Sequence, residues 1–392
     1  MKIILVPDSF KGTMSSSRVC AIMRESILAR SPDCEVIAIP VADGGEGTVE
    51  CFLEALGGEK KTLEITGPYF EKTESHYGIL PDGTAVVETA AAAGLPMVRG
   101  RENPALTTTY GVGEIMLDAA RRGCKRIIVG LGGSCTNDMG AGAAAAAGAK
   151  FYGADGKPFV PVGGTLDKIS SVDISESREN FRGVEIIAMC DIDNPLYGPN
   201  GAAHIFAPQK GADSEMVATL DANLRHAAAV VENLFGREIA DKPGAGAAGG
   251  FGAGMDAFFG ANLRSGIDTV LDTVGFDEKL KGADFVFTGE GRIDAQSLRG
   301  KVVIGVARRT AKHAPVIAFV GAIEDPIDEA YELGVSAVFT INRRAVAFEE
   351  SRKHCERDLT LTIDNFMRLL KAAHQRGASL QRGASLPTCV SR

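Results

Sequence analysis

The spacing of apolar residues at the start of the chain changes regularly between the pattern of a buried strand and that of a helix. The short apolar run at 2–6 predicts a buried strand, and apolar residues on one face of 15–29 predict a helix. The same two signals return at 35–41 and 49–56. This strand–helix–strand–helix order predicts neighbouring parallel strands joined by right-handed crossovers.

The same order of elements returns near the other end of the chain. Apolar runs predict strands there, and the segments between them have helical spacing. The strands are 284–288, 316–320 and 335–340, and the helices are 300–311 and 326–332. Strands that alternate with helices at both ends predict one doubly wound, Rossmann-like parallel sheet built from two distant parts of the chain.

The middle of the chain has a different pattern. Alternating apolar and polar residues at 73–80 and 84–88, around a Pro-Asp-Gly turn, predict a β-hairpin. Further segments predict a strand at 126–130 and helices at 112–122, 214–235 and 253–263. We therefore expect a second α/β domain inserted into the first.

The expected domain boundaries follow from these changes of pattern. We expect 1–71 and 283–375 to form the discontinuous Rossmann-like domain, and 72–282 to form the inserted domain. After this, the sequence Arg-Gly-Ala-Ser-Leu occurs twice without a core-forming period. Residues 376–392 are therefore expected to be a disordered tail.

Length and charge narrow the class of protein. A chain of 392 residues is longer than one hydrophobic core usually organises, which agrees with two domains. Apolar residues make up 45% of the chain and charged residues 23%, as in ordinary globular proteins. The net charge of −8 argues against a broad nucleic-acid-binding surface, since such surfaces are basic.

The N-terminal apolar run and the cysteines bear on the compartment. The run is too short for a secretory signal or a membrane span. The eight cysteines include no Cys-x-x-Cys pair, so neither a disulfide framework nor a zinc site is expected. We expect a cytoplasmic protein without a membrane partner, and the sequence leaves homo-oligomerisation open.

Charged residues follow several predicted strands directly. In open parallel sheets ligands bind beyond the carboxyl ends of the strands, so these residues are expected to converge at one edge. They are Asp8, Lys11, Asp43, Glu46, Glu290, Arg292 and Asp294. Carboxylates and cations on glycine-rich loops suit Mg²⁺ and phosphate, and phosphoryl transfer needs both. The alternative is that these loops are ordinary turns whose acidic residues cap helices.

A second cluster, the glycine loop, comprises residues 130–142 and follows the predicted strand at 126–130. A strand, a glycine-rich loop and a helix N-terminus together favour anion binding. The candidate phosphate-binding residues are Gly132, Gly133, Ser134, Thr136, Asn137 and Asp138. The alternative is close packing of glycine and alanine, with Asn137 as a helix cap.

A third cluster lies further along the chain. Asp191 follows the apolar run at 184–189, which suits a carboxylate at a strand end, and Lys210 is a candidate cation. The alternatives are a proline turn in which Asp193 bonds its own backbone, and an ordinary solvated lysine.

One motif resembles a dinucleotide-binding fingerprint. The spacing of glycines at 244–249 matches it, but the preceding residues 240–243 are not a strand. We therefore interpret this stretch as a flexible glycine loop. The chain also lacks the nucleotide-binding motifs of P-loop proteins and protein kinases.

The chain resembles the bacterial glycerate kinases that make 2-phosphoglycerate. The matching motifs are Asp8-Ser-Phe-Lys-Gly, Ala42-Asp-Gly-Gly-Glu-Gly-Thr, Gly130-Leu-Gly-Gly-Ser-x-Thr-Asn-Asp, Cys190-Asp-x-x-Asn-Pro-Leu, Pro208-Gln-Lys-Gly and Thr288-Gly-Glu-Gly-Arg-Ile-Asp. The resemblance implies ATP as cosubstrate, Mg²⁺ as cofactor, D-glycerate as acceptor, and a Rossmann-like domain with a large insertion.

Roles for the candidate residues complete the hypothesis. Lys11 or Arg292 is expected to hold the glycerate carboxylate, and Asp8 or Asp294 to accept the hydroxyl proton. Mg²⁺ is expected on two or more of Asp43, Glu46, Asp191 and Glu290. Two other functions stay open: an NAD-dependent hydroxy-acid dehydrogenase, and a non-catalytic two-domain protein that binds a small acid.

Overall fold

The computed structural model describes residues 1–42, 44–294, 297–299 and 301–383. The chain divides into two compact units. Unit 1 combines Met1–Pro40 with Phe276–Arg392, and unit 2 is the continuous segment Val41–Gly275.

The first segment of unit 1 has the predicted strand–helix–strand order. Its elements are β1 Lys2–Pro7, α1 Ser16–Arg30 and β2 Glu35–Ala38. The side chain of Ser15 accepts a hydrogen bond from the Arg18 amide, which satisfies a free N–H group at the start of α1.

Unit 2 begins with a helix and contains nine strands. In chain order its elements are α2 Thr48–Leu56, β3 Glu59–Thr66, β4 Lys72–Ile79, β5 Thr84–Glu88, α3 Ala90–Ala93, α4 Tyr110–Arg121, β6 Arg126–Gly130, α5 Ala141–Ala146, β7 Lys150–Tyr152, β8 Pro158–Phe159, β9 Ser171–Asp173, α6 Ser175–Asn180, β10 Glu185–Met189, α7 Ala202–Phe206, α8 Ser214–Phe235, α9 Ala247–Phe259, β11 Asn262–Arg264 and α10 Gly266–Thr273.

The chain then returns to unit 1. The remaining elements are α11 Phe276–Leu280, β12 Phe285–Glu290, α12 Val302–Thr310, β13 Val316–Val320, α13 Asp328–Glu332, β14 Val335–Thr340, α14 Phe348–Ser351 and α15 Cys355–Gly383. Short 3-10 turns lie at Leu95–Val98, Gly163–Lys168, Pro208–Lys210, Ser297–Arg299 and Arg352–His354. Nowhere in the described ranges is a helix both long and apolar enough to cross a lipid bilayer.

The sheet of unit 1 is entirely parallel, as the sequence predicts. Its strand order is β14-β13-β12-β1-β2. From β1 the chain moves to one side, whereas β12, β13 and β14 are added on the other side. The direction of strand addition therefore reverses between β1 and β12, which makes this pair the topological switch point where such sheets bind ligands.

The core of unit 1 explains why its strands are so apolar. Alternate residues such as Leu5 and Phe287 pack in one cluster with Met23 of α1 and Phe366 of α15. The strand residues between them, such as Ile4, are also fully buried. Strands buried on both faces form nearly continuous apolar runs, which is the signal that identifies them in the sequence.

Unit 2 has a mixed six-stranded sheet of order β11-β10-β6-β5-β4-β3 and a small antiparallel sheet of order β8-β7-β9. The first four strands of the mixed sheet are parallel. The antiparallel pairing of β4 with β5 confirms the predicted hairpin. Register places the last residues of the parallel strands, Glu88, Gly130, Met189 and Arg264, side by side at one edge.

The division between the units differs from the expected one. Residues 41–71 belong to unit 2, because β3 pairs with β4 along its whole length and α2 packs on β4 and β5. Phe276 starts the returning segment of unit 1, earlier than the expected residue 283. At the C-terminus α15 continues to Gly383, beyond the start of the expected tail, and residues 384–392 lie outside the described residues.

Candidate active site

Two carboxyl groups lie at the switch point of unit 1. Asp8 follows β1, and its amide donates to the Gly289 carbonyl at 2.8 Å. Glu290 is the last residue of β12 and is only 5% exposed. Its Oε1 atom has no hydrogen-bond partner among the described residues. A buried carboxylate oxygen without a partner is costly in a stable fold, so it points to a group that binds there.

The environment of Glu290 favours its neutral form. Burial raises the pKa of Glu290 to about 7, and the negative charges of Asp8 and Asp294 act in the same direction. A hydrogen bond from Ser297 and the positive charge of Lys301 oppose the shift. A carboxyl group with a pKa near neutrality is typical of functional sites.

The structure places the other predicted residues of unit 1 at the same edge. Lys11 is exposed in the turn that follows β1, and a β-carbon on Gly291 would come within 3.4 Å of its backbone nitrogen. Arg292 is exposed and pairs with Glu324 at 3.3 Å. Asp294 accepts a hydrogen bond from the Ser297 amide at 3.0 Å. Both cations and all three carboxylates predicted for this part of the chain therefore belong to one edge of one unit.

The loop at 43–47 belongs to unit 2, and residue 43 lies outside the described residues. The Gly132 amide donates to the Gly44 carbonyl at 3.0 Å. A β-carbon on Gly44 would come within 3.1 Å of Met189, the last residue of β10. Residues 44–47 therefore lie over the ends of β6 and β10, with Glu46 exposed to solvent.

Asp138 organises the glycine loop. It is fully buried, and its carboxylate accepts hydrogen bonds from the Thr109 amide and hydroxyl at 2.8 and 2.9 Å. The amides of Gly140 and Gly142 donate to it at 3.1 and 3.3 Å. Burial raises its pKa, and these four hydrogen bonds oppose the shift. Both oxygens are therefore engaged within the protein.

Lys210 is buried beneath the same loop. Its side chain is only 3% exposed, which rules out the solvated lysine considered as an alternative. The Nζ atom donates to the Ser134 hydroxyl at 2.9 Å and to the Thr136 carbonyl at 2.8 Å. Both partners are neutral, and burial lowers the pKa of Lys210 to about 8. A buried cation with neutral partners favours a nearby anion.

Asn137 does not act as a helix cap. The helix α5 begins after Gly140, which makes no side-chain cap, so that alternative is wrong. Asn137 is fully buried, and neither its Oδ1 nor its Nδ2 has a partner in the described part of the chain. By contrast, Gly132 is partly exposed and Gly133 is exposed. Solvent therefore reaches the first glycines of the loop and not its buried end.

Asp191 has a structural contact in addition to its place at a strand end. It follows β10 by two residues, and its Oδ1 accepts a hydrogen bond from the Gly266 amide at 2.7 Å. Gly266 is the first residue of α10, where a negative charge is favourable. The neighbouring Asp193 is exposed.

The interpretation of 244–249 as a flexible loop is wrong. The Gly246 amide donates to the Asn194 carbonyl at 3.0 Å, and the Met139 amide donates to the Gly249 carbonyl at 3.2 Å. A β-carbon on Gly249 would overlap the Thr136 carbonyl oxygen. The glycines are therefore required for close packing of this segment against the glycine loop and the Asp191 segment.

A pair of glycine substitutions tests this packing. Gly249 and Gly260 have similar positive φ angles of 70° and 63°, but a β-carbon on Gly260 would meet nothing within 4 Å. Gly260→Ala should cost ~1–2 kcal/mol of unfolding free energy from backbone strain alone. Gly249→Ala should cost at least ~1 kcal/mol more because of overpacking. Equal losses of unfolding free energy in urea denaturation would mean that the segment can move to accommodate the extra β-carbon at little cost.

Comparison with known proteins establishes the family. The model of the glycerate kinase family matches residues 3–371. The chain belongs to the glycerate kinase family. The predicted resemblance and enzyme class are therefore confirmed, in place of the dehydrogenase and the non-catalytic binding protein.

Individual relatives of this glycerate kinase family member are similar along most of their length. It is 44% identical over 344 residues to a protein named glycerate 2-kinase from Escherichia coli, covering 87% of this chain and 90% of that protein. It is 41% identical over 379 residues to a glycerate kinase from Bacillus cereus, covering 96% and 100%. A crystal structure of a protein assigned as glycerate kinase 2 from Salmonella typhimurium has a TM-score of 0.85 at 39% identity, covering 96% and 99%.

The donor atoms in this glycerate kinase family member suit a magnesium ion only in part. No group of three or more His, Cys, Asp or Glu side chains within the described ranges is placed to hold a metal by itself. Mg²⁺ usually binds one or two carboxylates together with substrate phosphates, so such a group is not required. The unpartnered Oε1 of Glu290 and the exposed carboxylate of Glu46 fit that mode of binding.

The predicted site residues do not include Glu88, a buried acidic residue at a strand end. It is the last residue of β5 and is 3% exposed. The signal was present, because 84–88 reads Thr-Ala-Val-Val-Glu, an apolar strand that ends in a carboxylate. The same rule that selects Asp8 and Asp191 at strand ends would have selected it.

Proposed function

We propose that this glycerate kinase family member transfers the γ-phosphoryl group of ATP to D-glycerate and forms 2-phosphoglycerate. Family membership supports glycerate phosphorylation, and the E. coli relative named glycerate 2-kinase supports the position of the new phosphate. The observation that carries the proposal is the group of carboxylates at the switch point of unit 1, in which the buried Glu290 keeps an unpartnered oxygen.

The carboxylates of unit 1 would serve proton and metal chemistry. Phosphoryl transfer needs a carboxylate to take the proton of the acceptor hydroxyl and charge to stabilise the transferred group. We assign the proton to Asp8, with Asp294 as the other candidate. Asp8 is preferred because it directly follows β1 at the switch point, whereas Asp294 lies four residues beyond the end of β12.

Two exposed cations at the strand ends of unit 1 are the candidates for the glycerate carboxylate. Lys11 is on the turn after β1, and Arg292 follows β12. Lys11 is the preferred residue, because its turn directly follows β1 at the switch point and its backbone lies against Gly291. A lysine ammonium holds a carboxylate as a point charge, so Lys11→Arg should retain part of its function.

In unit 2 the glycine loop is proposed to hold ATP phosphates. Gly132 and Gly133 are the residues that solvent reaches, and Ser134, Thr136 and Asn137 form the buried continuation. The Gly132 amide already donates to the Gly44 carbonyl, so Gly133 is the preferred backbone donor. Lys210 adds positive charge from below through its hydrogen bonds to this loop. Asp138 is proposed to shape the loop and not to contact phosphate, because its oxygens already accept four hydrogen bonds.

The candidate magnesium ligands are Asp43, Glu46, Asp191 and Glu290. The chemistry that the ion would supply when bound is neutralisation of phosphate charge. Glu290 is the candidate in unit 1, and Glu46 is the preferred candidate among those of unit 2. Asp191 is the weaker candidate, because one of its oxygens accepts the Gly266 amide.

An assay of ADP release tests the proposal. The purified chain with ATP, Mg²⁺ and D-glycerate should release ADP, and omission of D-glycerate should abolish that release. Omission of ATP should leave glycerate unchanged. Release of ADP that does not depend on glycerate would contradict the proposal, as would a change of nicotinamide absorbance with glycerate and NAD in the absence of ATP.

A further inference from the structure

Glu88 connects the sheet of unit 2 to the start of α2. Its Oε1 accepts a hydrogen bond from the Val49 amide at 2.6 Å, in the first turn of α2. Glu88 lies at the end of β5, beside Gly130 at the end of β6. This carboxylate has no place among the residues proposed above to contact substrate or metal.

The contact replaces a missing helix cap. Helices begin with free N–H groups that usually bind a nearby serine, threonine, aspartate or asparagine side chain. The residue before α2 is Gly47, which has a left-handed conformation and makes no side-chain cap. The carboxylate of Glu88 supplies the acceptor from a different element, and its charge interacts favourably with the positive end of the helix.

As a result, residues 44–47 lie between two fixed points. At their start the Gly44 carbonyl accepts the Gly132 amide, and after them the Val49 amide in the first turn of α2 donates to Glu88. Glu46 lies between these two points and is exposed. A carboxylate on a short loop can bind a ligand with defined geometry only when the loop itself is fixed.

We propose that Glu88 is a positioning residue for phosphoryl transfer, which fixes the start of α2 and thereby residues 44–47, which include Glu46. The proposal rests on the proposed function of that loop. It assigns no contact between Glu88 and substrate. This role requires an oxygen acceptor that extends from β5 as far as the Val49 amide. The length of the side chain at position 88 therefore matters more than its charge.

Three substitutions at position 88 distinguish the effect of side-chain length from the effect of charge. Glu88→Gln keeps an oxygen acceptor at the same distance and should retain most of the turnover. Glu88→Asp keeps the charge but is shorter by one methylene group, and Glu88→Ala removes the acceptor. Both should lower kcat by ~10–100-fold, the usual effect of losing a residue that orients a ligand-binding group. Loss of activity in Glu88→Gln equal to that in Glu88→Ala would overturn the proposal.

Glu114 provides a matched control in the same unit. Its Oε2 accepts the Thr66 amide at 2.6 Å, so it also binds a backbone amide through a carboxylate. Thr66 ends β3 and belongs to no proposed ligand-binding loop. Glu114→Ala should lose stability but retain its kcat. An equal fall in kcat for Glu114→Ala and Glu88→Ala would mean that general destabilisation explains both, and would overturn the proposal.

Hydrogen exchange gives a readout that does not depend on activity. In Glu88→Ala the Val49 amide should exchange faster, while peptides from β6, β10 and unit 1 keep their rates. If Glu88→Ala does not fold, Glu88→Asp takes its place in the same measurement. Unchanged exchange at the Val49 amide in a folded variant would contradict the proposal.

Substitutions in the loop distinguish failure of this proposal from failure of the proposed function. Asp43→Asn and Glu46→Gln should lower kcat themselves, and Glu46→Gln combined with Glu88→Ala should lose less than the product of the two effects. If the loop substitutions leave kcat unchanged, the proposed function of the loop fails. If they lower it and Glu88→Ala does not, only the role of Glu88 fails.

Discussion

Lys11→Ala is expected to lower turnover at least ~10²-fold, while the protein remains folded. Lys11 is proposed to hold the glycerate carboxylate, and a substrate displaced by about 1 Å can react ~10²-fold more slowly. Folding should be retained because Lys11 is exposed in a turn and contributes nothing to the core of unit 1. Steady-state kinetics with D-glycerate and ATP would measure the loss, and circular dichroism would check the fold.

Two further variants make this result specific. Lys11→Arg retains the positive charge and should recover part of the turnover. Lys312→Ala removes an equally exposed lysine of unit 1, away from the strand ends, and should have little effect. Turnover of Lys11→Ala equal to that of Lys312→Ala would remove Lys11 from the mechanism.

Glu290→Gln is expected to lower activity and to raise stability. Turnover should fall at least ~10²-fold, because the substitution removes a carboxylate proposed to hold the metal. Stability should rise because the charge of Glu290 is buried beside Asp8 and Asp294, and one oxygen has no described partner. Removal of a functional group that destabilises the fold commonly lowers activity and raises stability.

The gain in stability should depend on pH in a defined direction. The pKa of Glu290 is raised from 4.5 to about 7. Between these values the folded protein holds a proton that the unfolded chain has released, so the stability of the wild type falls as pH rises. The advantage of Glu290→Gln should therefore be small at pH 4.5 and reach on the order of 3 kcal/mol above pH 7.

Denaturant unfolding across this pH range would measure the difference. Glu329→Gln is a suitable control, because Glu329 is exposed in the same unit. Its difference from the wild type should stay constant with pH. A Glu290→Gln variant that is less stable than the wild type at pH 7.5 would show that the ionised carboxylate stabilises the fold.

The sequence is most informative where strands are buried on both faces. β1, β12 and β13 are buried almost throughout, and their apolar runs identify them without any other information. β3 was missed because Glu59–Thr66 carries five charged or threonine residues in its first six positions and has one buried residue. Because β3 pairs with β4, it belongs to unit 2, and the observed unit 2 starts earlier in the chain than the expected domain.

The sequence also predicts some features of the candidate site and not others. The rule that ligands bind at strand ends selects Asp8, Glu290 and Asp191 from the sequence, because strand ends can be read from apolar runs. It cannot tell which of them is buried or already engaged. The hydrogen bonds of Asp138 come from Thr109, which lies 29 positions earlier, and from Gly140 and Gly142 shortly after it, and no local pattern predicts that combination.

Product analysis by phosphorus NMR tests the central claim most directly. The chain is incubated with ATP, Mg²⁺ and D-glycerate, and the proton-coupled spectrum of the product is recorded. A phosphate on the secondary hydroxyl couples to one proton and gives a doublet, as expected for 2-phosphoglycerate. A triplet from a phosphate on the primary hydroxyl, or inorganic phosphate as the sole product besides ADP, would contradict the account.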